Sequence, residues 1–395
     1  MEKSENSKSE RHGFGMKQEI TPVLAQTYRS ELVEKIKTNR YEWEIGRVRF
    51  RLAKEFGFCP GVDRAVDLAY ETRAKFPEKR IFITNEIIHN PTVNRKLIEM
   101  GIRFLKGPYQ GETGIEDIRK DDAVLIPAFG MTLEELKHLN EKGCLLVDTT
   151  CGSVIAVWKR VEQYARDGFT AVIHGKYDHE ETRATCSRAG RYVVVWDKKE
   201  AECLCGYILR GGPREDFFGM FRDRSSEGFD PDRDLLRVGC ANQTTMLSRE
   251  SIEIANSIRN VMIAKYGEAE LAKHFRHFDT ICSSTQDRQD AVQKLLSEAR
   301  PDFAVVIGGY NSSNTTHLLE ICLTEGVKAY HVKDAGCFRS GEEIEHKPLG
   351  AQTPVLERGW LSEGKITVGI TAGASTPDRL IEEVILKISQ IANGA

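Results

Sequence analysis

Residues 144–163, CLLVDTTCGSVIAVWKRVEQ, combine an apolar strand pattern, a cysteine and a helical pattern in immediate succession. The same order occurs in residues 51–71, RLAKEFGFCPGVDRAVDLAYE, and in residues 274–295, HFRHFDTICSSTQDRQDAVQKL. Self-similarity of this kind indicates repeated structural units. Each copy carries one cysteine at the junction of strand and helix, and these cysteines are Cys59, Cys151 and Cys282.

Two further elements recur after each cysteine. A second strand with a polar loop follows 30, 28 and 29 residues later, at His89 in ITNEIIHNP, His179 in AVIHGKYDHEET and Asn311 in VVIGGYNSSNTTH. A third strand and loop recur around Phe129, Gln243 and Ala374. Because these strands alternate with helical stretches, the pattern is typical of parallel α/β sheets, in which the loops after the strands carry function.

The sequence therefore predicts an α/β fold of three pseudo-threefold-related units with parallel-type sheets. We expect the units to span residues 48–148, 149–281 and 282–395, and residues 1–47 to form an N-terminal extension outside the core. The middle unit contains an insertion near residues 203–236. Its charged, glycine-containing composition predicts a surface loop.

The overall composition excludes several classes of protein. The 395 residues carry a formal net charge of -3, so no basic field favours nucleic acid as a partner. No apolar run reaches the roughly 18 residues that a membrane span needs, and the polar first residues lack the apolar core of a secretory signal. We therefore expect a cytoplasmic protein that contacts neither nucleic acid nor membrane.

The cysteine content favours metal or thiol chemistry. Ten cysteines occur without a C-x-x-C pair, and a cytoplasmic chain is not expected to use them as disulfides. A single cysteine at a strand end is most often a small buried apolar residue. Recurrence sets Cys59, Cys151 and Cys282 apart, because a helix start favours the metal-binding thiolate. Three converging thiolates require a bound cation, and both zinc and a 4Fe-4S cluster satisfy that requirement.

The recurring loops offer donors suited to phosphate oxygens. They contain His89, His179, residues 243–245 (QTT), residues 311–314 (NSSN) and Ser375. Neither a Walker lysine nor a G-x-G-x-x-G run is present, so we do not expect ATP or a dinucleotide. Glu180 and Glu181 follow His179 directly, and a carboxylic acid beside a threonine hydroxyl is a suitable proton donor for a step that expels water.

Eight ordered motifs resemble those of the 4-hydroxy-3-methylbut-2-enyl diphosphate reductase family across nearly the whole chain after residue 48. They are FGFCPGVDRAV, NEIIHNPTVN, DTTC, HEET, QTT, DTIC, NSSN and TAGASTPD. The resemblance implies three α/β domains around one central 4Fe-4S iron-sulfur cluster, with Cys59, Cys151 and Cys282 as its ligands and one iron open to substrate. It also implies reductive dehydroxylation of that diphosphate to isopentenyl and dimethylallyl diphosphates, the last step of the methylerythritol phosphate route to isoprenoids.

The resemblance further implies roles for individual residues. Glu181 would supply a proton through Thr244 as the allylic hydroxyl leaves. The positions implied to bind the diphosphate or neighbouring substrate oxygens are His89, His179, Thr244, Ser312, Ser313, Asn314 and Ser375. The small-molecule diphosphate is then the substrate, and ferredoxin or flavodoxin is the implied electron donor.

One loop departs from the commoner bacterial form of the family. Residues 127–130 are P-A-F-G where that form has S-A-H-G, so Phe129 replaces a substrate histidine and cannot donate a hydrogen bond. This loop, the HGKYDHEET spelling and the long N-terminal arm are similar to the cyanobacterial and plastid branch, although Pro60 stands where that branch usually has tryptophan. We expect activity to persist with altered contacts, and location in the plastid stroma if the organism bears plastids.

Two other functions remain open from the residues alone. A cluster-dependent hydro-lyase would use the same cysteines without net reduction, and it would turn over without electrons. A non-enzymatic metal or redox sensor would use the thiols but would need no loops for a diphosphate.

Overall fold

The structure, a computed structural model, describes residues 9–394. Residues 1–8 of the predicted extension and residue 395 of the third predicted unit lie outside the described residues. The chain divides into two units. Unit A comprises Ser9, residues 118–120 and residues 126–282, and unit B comprises residues 10–117, 121–125 and 283–394.

The described chain alternates helices and strands. The helices are α1 Lys17–Tyr28, α2 Glu31–Thr38, α3 Pro60–Lys75, α4 Pro91–Glu99, α5 Leu133–Lys142, α6 Gly152–Arg166, α7 Glu180–Cys186, α8 Lys198–Arg210, α9 Arg214–Phe221, α10 Pro231–Asp234, α11 Ser248–Tyr266, α12 Leu271–His274, α13 Ser283–Ala299, α14 Ser313–Thr324 and α15 Asp378–Ala392. The strands are β1 Glu42–Ile45, β2 Val48–Leu52, β3 Ile81–Ile83, β4 Ile102–Phe104, β5 Ala123–Ile126, β6 Leu145–Asp148, β7 Thr170–His174, β8 Tyr192–Val195, β9 Val238–Asn242, β10 Phe275–His277, β11 Phe303–Ile307, β12 Ala329–Val332, β13 Glu343–His346, β14 Val355–Arg358 and β15 Ile366–Ala372. Within residues 9–394, no helix is both long enough and apolar enough to span a bilayer.

Unit A contains a parallel sheet with the strand order β10-β9-β7-β8. Every residue of β7 and β9 is buried, as expected for central strands with both faces covered. The loops at the carboxyl ends of these two strands lead to Glu181 and Thr244 respectively. The sheet thus delivers both predicted catalytic residues to one edge.

The segment 203–236 is not a surface loop, and that prediction is wrong. It forms the second half of α8, then α9, then α10. Phe217, Phe221 and Phe229 belong to the hydrophobic core of unit A, and the rings of Phe217 and Phe229 stack with centroids 5.6 Å apart. The spacing of Phe217 and Phe221 by four residues was the signal of a buried helical face, and the charged residues around it obscured that signal.

Unit B contains a five-stranded sheet with the order β1-β2-β15-β11-β12. The four strands from β2 to β12 are parallel to their neighbours, and β1 joins β2 as an antiparallel edge. Three further parallel strands lie in the order β4-β3-β5, and β13 pairs with β14 in an antiparallel hairpin. The loops that follow β11 and β15 carry the NSSN and AGAST segments.

The prediction that residues 1–47 lie outside the core does not hold for residues 30–45. Ser30 caps α2 by accepting a hydrogen bond from the Val33 N–H. Val33 and Ile36 are completely buried in the core of unit B, and β1 is part of its larger sheet. The reason is amphipathicity, because Leu32, Val33 and Ile36 form a narrow apolar stripe that covers the sheet, a stripe too short to stand out in composition.

One strand that leads to a recurring cysteine pairs outside its predicted unit. β2, which precedes Cys59 in the first predicted unit, pairs with β15 of the third, whereas β10, which precedes Cys282, pairs with β9 inside the second predicted unit. Val48, Phe50 and Leu52 alternate along β2 and are buried in the same core as β15, which fixes this pairing. The division at residues 48, 149 and 282 stays a prediction, but one sheet contains strands of both the first and the third predicted units, because β2 pairs with β15.

We predict that Ile36→Ala lowers the free energy of unfolding by about 2–5 kcal/mol, because it leaves a cavity where a buried side chain packs. Lys35→Ala on the exposed side of the same helix should change it by no more than about 0.5 kcal/mol. Urea denaturation measures both. Equal effects of the two substitutions would show that α2 is not part of the core.

Candidate active site

The three recurring cysteines make equivalent backbone hydrogen bonds. In each case the cysteine N–H donates to a carbonyl in one of the third recurring loops: Cys59 to Ala374 at 3.2 Å, Cys151 to Ala128 at 3.0 Å and Cys282 to Thr244 at 3.3 Å. The repeat inferred from sequence is therefore a repeat of hydrogen bonding. It joins Cys151 and Cys282 to a loop of the preceding predicted unit and Cys59 to a loop of the third, so no cysteine contacts the equivalent loop of its own unit.

Each of these cysteines also stands at the start of a helix. Cys59 and Cys151 are the N-caps of α3 and α6, and neither side chain makes a capping hydrogen bond. Helix α13 begins at Ser283, directly after Cys282. The helix start places partial positive charge near each sulfur, which favours a thiolate. All three cysteines are half-buried.

Most of the remaining cysteines lie in environments that keep the thiol protonated. All ten lie in the described chain, and none forms a disulfide. Burial raises the pKa of Cys205 to about 11 and that of Cys322 to about 12. Burial also raises the pKa values of Cys186 and Cys240. These cysteines are therefore apolar core residues rather than ligands.

Glu181 and Thr244 form a buried pair in unit A. The Thr244 N–H donates to one carboxylate oxygen of Glu181 at 2.6 Å, and the Thr244 hydroxyl donates to the other at 3.0 Å. Glu181 is 1% exposed and Thr244 is 4% exposed. The carbonyl of Thr244 accepts the hydrogen bond from Cys282, so one residue connects the acid to a cysteine segment.

His179 is held at the start of α7, next to this pair. Its Nδ1 accepts a hydrogen bond from the Glu181 N–H at 3.1 Å, which leaves the proton of a neutral ring on Nε2. Gln243 supports the same loop, because its side-chain oxygen accepts from the Lys176 N–H at 3.0 Å and from the Thr182 hydroxyl at 3.2 Å. The loop geometry is thus fixed by buried hydrogen bonds on both sides of His179.

Phe129 packs against His179. The two rings meet edge to face, with centroids 5.4 Å apart. The adjacent Gly130 has φ +81°, and a Cβ there would lie 2.2 Å from the ring of Trp158. The P-A-F-G turn therefore depends on glycine at its end, and Phe129 gives His179 an apolar contact instead of a hydrogen bond.

His89 lies in a buried polar cluster of unit B. Its Nδ1 is 2.8 Å from the Glu86 carboxylate, which also accepts from the Asn311 amide at 2.6 Å. The Ser375 hydroxyl donates to the His89 carbonyl at 3.1 Å. The structure therefore brings together three loops predicted from separate motifs. Sequence reasoning missed Glu86, because residues 84–90 form no helix and a spacing of three residues in a loop predicts no contact.

The NSSN loop starts α14. Ser312 caps this helix by accepting from the Thr315 N–H, and Ser313 is its first residue. The Asn314 side-chain oxygen accepts from the Ala374 N–H at 2.9 Å. Within the described chain, the Asn314 side-chain nitrogen is buried without a hydrogen-bond partner. A buried donor without a partner is uncommon and is consistent with a ligand atom in that place.

Each unit thus offers a coherent set of groups. Unit A supplies two of the three recurring cysteines, an acid with its hydrogen-bonded threonine, and a histidine. Unit B supplies the third recurring cysteine, a histidine with a carboxylate partner, and a helix start lined by hydroxyls and an amide. Thiolates bind soft metals, and the imidazole, hydroxyl and amide donors bind phosphate.

Comparison with known proteins supports one family. A family model described as LytB protein matches residues 50–389. The chain is 51% identical over 378 residues to 4-hydroxy-3-methylbut-2-enyl diphosphate reductase of Thermosynechococcus vestitus, covering 96% of this chain and 93% of that one. It is 49% identical over 383 residues to the enzyme of the same name from Crocosphaera subtropica, covering 97% and 94%. The family resemblance seen in the motifs is confirmed.

Solved structures agree with the fold. One, described as (E)-4-hydroxy-3-methyl-but-2-enyl diphosphate reductase, the terminal enzyme of the non-mevalonate pathway, is 30% identical, with a TM-score of 0.51 over 87% of this chain and 99% of that one. The E-1-hydroxy-2-methyl-but-2-enyl-4-diphosphate reductase from Plasmodium falciparum is 20% identical, with a TM-score of 0.63 over 85% and 86%, and shows the fold alone. The predicted α/β fold class is confirmed.

Two cysteines on α8 provide a matched test of the thiol environments. At about pH 8, exposed Cys203 should react readily with iodoacetamide, whereas buried Cys205, with a pKa of about 11, should hold only about one thiolate in a thousand. Raising the pH toward the pKa of Cys205 should increase its modification. Mass spectrometry of the alkylated peptides measures both. Equal rates at the lower pH would contradict the assigned burial.

Proposed function

We propose a function on the premise that the chain belongs to the LytB protein family: it is a 4-hydroxy-3-methylbut-2-enyl diphosphate reductase. It removes the allylic hydroxyl of that diphosphate, and two electrons and two protons convert the substrate to isopentenyl or dimethylallyl diphosphate and water. This is the last step of the methylerythritol phosphate route. Net reduction distinguishes the reaction from that of a hydro-lyase.

The observation that carries the proposal is the buried contact of Glu181 with Thr244. A carboxyl group that is hydrogen-bonded to a threonine hydroxyl can pass a proton through that hydroxyl to an oxygen beside it. The same threonine binds the Cys282 N–H through its carbonyl. Protonated Glu181 is accordingly the proton donor: its carboxyl proton passes to the Thr244 oxygen as the Thr244 hydroxyl gives its own proton to the substrate oxygen.

The cofactor is an iron-sulfur cluster, as the family implies, and we assign it as one 4Fe-4S cluster held by Cys59, Cys151 and Cys282. The donor set supports this assignment, because these three thiols alone recur at a helix start with the same backbone contact to a loop carbonyl. Three thiolates leave one of four irons open. When bound, the cluster supplies electrons and a Lewis-acidic iron for the substrate oxygen.

The diphosphate is bound by side-chain and backbone donors of the recurring loops. We assign this role to His89, His179, Ser312, Ser313, Asn314 and Ser375, with Thr244 at the hydroxyl end. Two observations support the set: Ser312 and Ser313 open helix α14, and Asn314 has a buried, unpartnered N–H2 group. Backbone and side-chain donors at a helix start favour anionic oxygens.

Electrons come from a partner protein. We propose ferredoxin or flavodoxin as the donor, since the reaction consumes electrons one at a time through a cluster. The cyanobacterial relatives support a cytoplasmic enzyme, with the plastid stroma as the location in a plastid-bearing organism.

Glu181→Gln should lower kcat by about 10²–10⁴-fold while leaving the iron content close to that of the wild type, because it removes a proton donor but no ligand. Glu180→Gln, which changes a half-exposed neighbour in the same way, should change kcat only a few-fold. Turnover is measured anaerobically with a chemical reductant, and omission of the reductant should abolish it. A larger loss of kcat in Glu180→Gln than in Glu181→Gln would identify Glu180 as the proton donor instead.

Asn314→Ala should raise KM by about 10–100-fold, as expected for the loss of a hydrogen bond to a charged ligand of about 1.5–3 kcal/mol. A smaller change in kcat is expected, because the amide is assigned to the diphosphate and not to the reacting bond. Asn260→Ala, on an exposed part of helix α11, serves as the control. An unchanged KM in the Asn314 variant would remove this residue from the substrate site.

A further inference from the structure

Arg288 is a buried cation whose charge has no counterpart among the described residues. It lies on α13, six residues after Cys282, and is 3% exposed. Its guanidinium donates to the Ser284 carbonyl at 2.7 Å and to the Gly57 carbonyl at 2.6 Å. Its Nε–H has no hydrogen-bond partner in the described chain.

Neutral hydrogen-bond partners do not balance the positive charge of a buried guanidinium. Across residues 9–394, no carboxylate forms an ion pair with Arg288. Carbonyl oxygens satisfy two of the guanidinium donors, but they carry no net charge to offset the cost of removing a cation from water. By contrast, Arg80 is half-exposed and still pairs with the Asp122 carboxylate. The environment of Arg288 therefore lacks an anion.

The contacts of Arg288 indicate where the anion lies. Gly57 is two residues before Cys59 and has φ +74°, so the chain turns there immediately before the cysteine. The guanidinium is thus one hydrogen bond from the short loop that presents Cys59. A cysteine thiolate, or an iron-sulfur cluster bound by it, is an anion of the required sign at the required place.

We propose that Arg288 is a positioning residue that fixes the Cys59 loop and supplies positive charge to the anionic cluster, making the cluster easier to reduce. The proposal rests on the proposed function, since it takes Cys59 as a cluster ligand. Net charge and hydrogen bonding near a cluster set its reduction potential, and a nearby cation favours the reduced, more negative state. A solely structural role would require the hydrogen bonds but not the charge.

The test is a redox titration of the anaerobically purified holoenzyme, followed by electron paramagnetic resonance. R288Q should shift the midpoint potential to a more negative value by about 59 mV, a tenfold change in a one-electron equilibrium. R288K retains the charge and should stay near the wild-type potential. An R288Q potential equal to that of the wild type would overturn the proposal, as would an R288Q enzyme that loses only affinity for the diphosphate.

Arg73 provides a matched control. It also donates to backbone carbonyls, those of Phe76, Pro77, Lys79 and Gly101. It lies near the opposite end of α3 from Cys59, about 20 Å away along the helix axis. R73Q should therefore leave the potential unchanged. A shift in R73Q as large as that in R288Q would mean that general loosening, and not local charge, moves the potential.

Failure of this proposal is distinguishable from failure of the proposed function. A wild-type protein without iron and sulfide would refute the cofactor assignment itself. A wild-type cluster whose potential R288Q leaves unchanged would refute only the role of Arg288. If R288Q retains too little cluster to titrate, R288K decides: retention of cluster at the wild-type potential supports the role of charge, and loss of cluster in both variants contradicts it.

Discussion

The hydrogen bond from each cysteine N–H to a loop carbonyl is the constraint on which the rest of the site depends. It fixes the cysteine backbone between a strand and the start of a helix, where the sulfur is favoured as a thiolate. The loop that supplies the carbonyl also carries residues to which we assign a function. Thr244 makes both kinds of contact, because its carbonyl accepts from the Cys282 N–H while its N–H and hydroxyl donate to Glu181.

Burial gives these polar groups their chemical character. Glu181, His89 and Asn314 are almost completely buried, so their hydrogen bonds act in a medium of low dielectric constant and their orientations are fixed before substrate arrives. The Glu86 carboxylate orients His89 by accepting from its Nδ1, whereas the Glu181 N–H orients His179 by donating to its Nδ1. Both histidines thus have Nδ1 engaged by the protein, and Nε2 is the nitrogen that each can direct to a ligand.

The sequence carried the local features of this site but not the pairing of its parts. The recurring strand, cysteine and helix were visible because they repeat within a few residues, and eight motifs identified the family. The sheet partner of β2 was not visible, since pairing between strands hundreds of residues apart leaves no local pattern. Residues 30–45 and 203–236 were misassigned because composition averages over short amphipathic stretches such as Val33 with Ile36. Arg288 was missed because its importance lies in a partner that only the fold supplies.

The central claim is that Cys59, Cys151 and Cys282 together hold one 4Fe-4S cluster. Iron and acid-labile sulfide analysis of anaerobically purified protein, with an absorption spectrum, tests it most directly. If these cysteines hold one cluster, the protein is brown and contains about four irons and about four sulfides per chain, which are lost on exposure to air. A colourless protein that contains zinc instead, prepared under the same conditions, would contradict it.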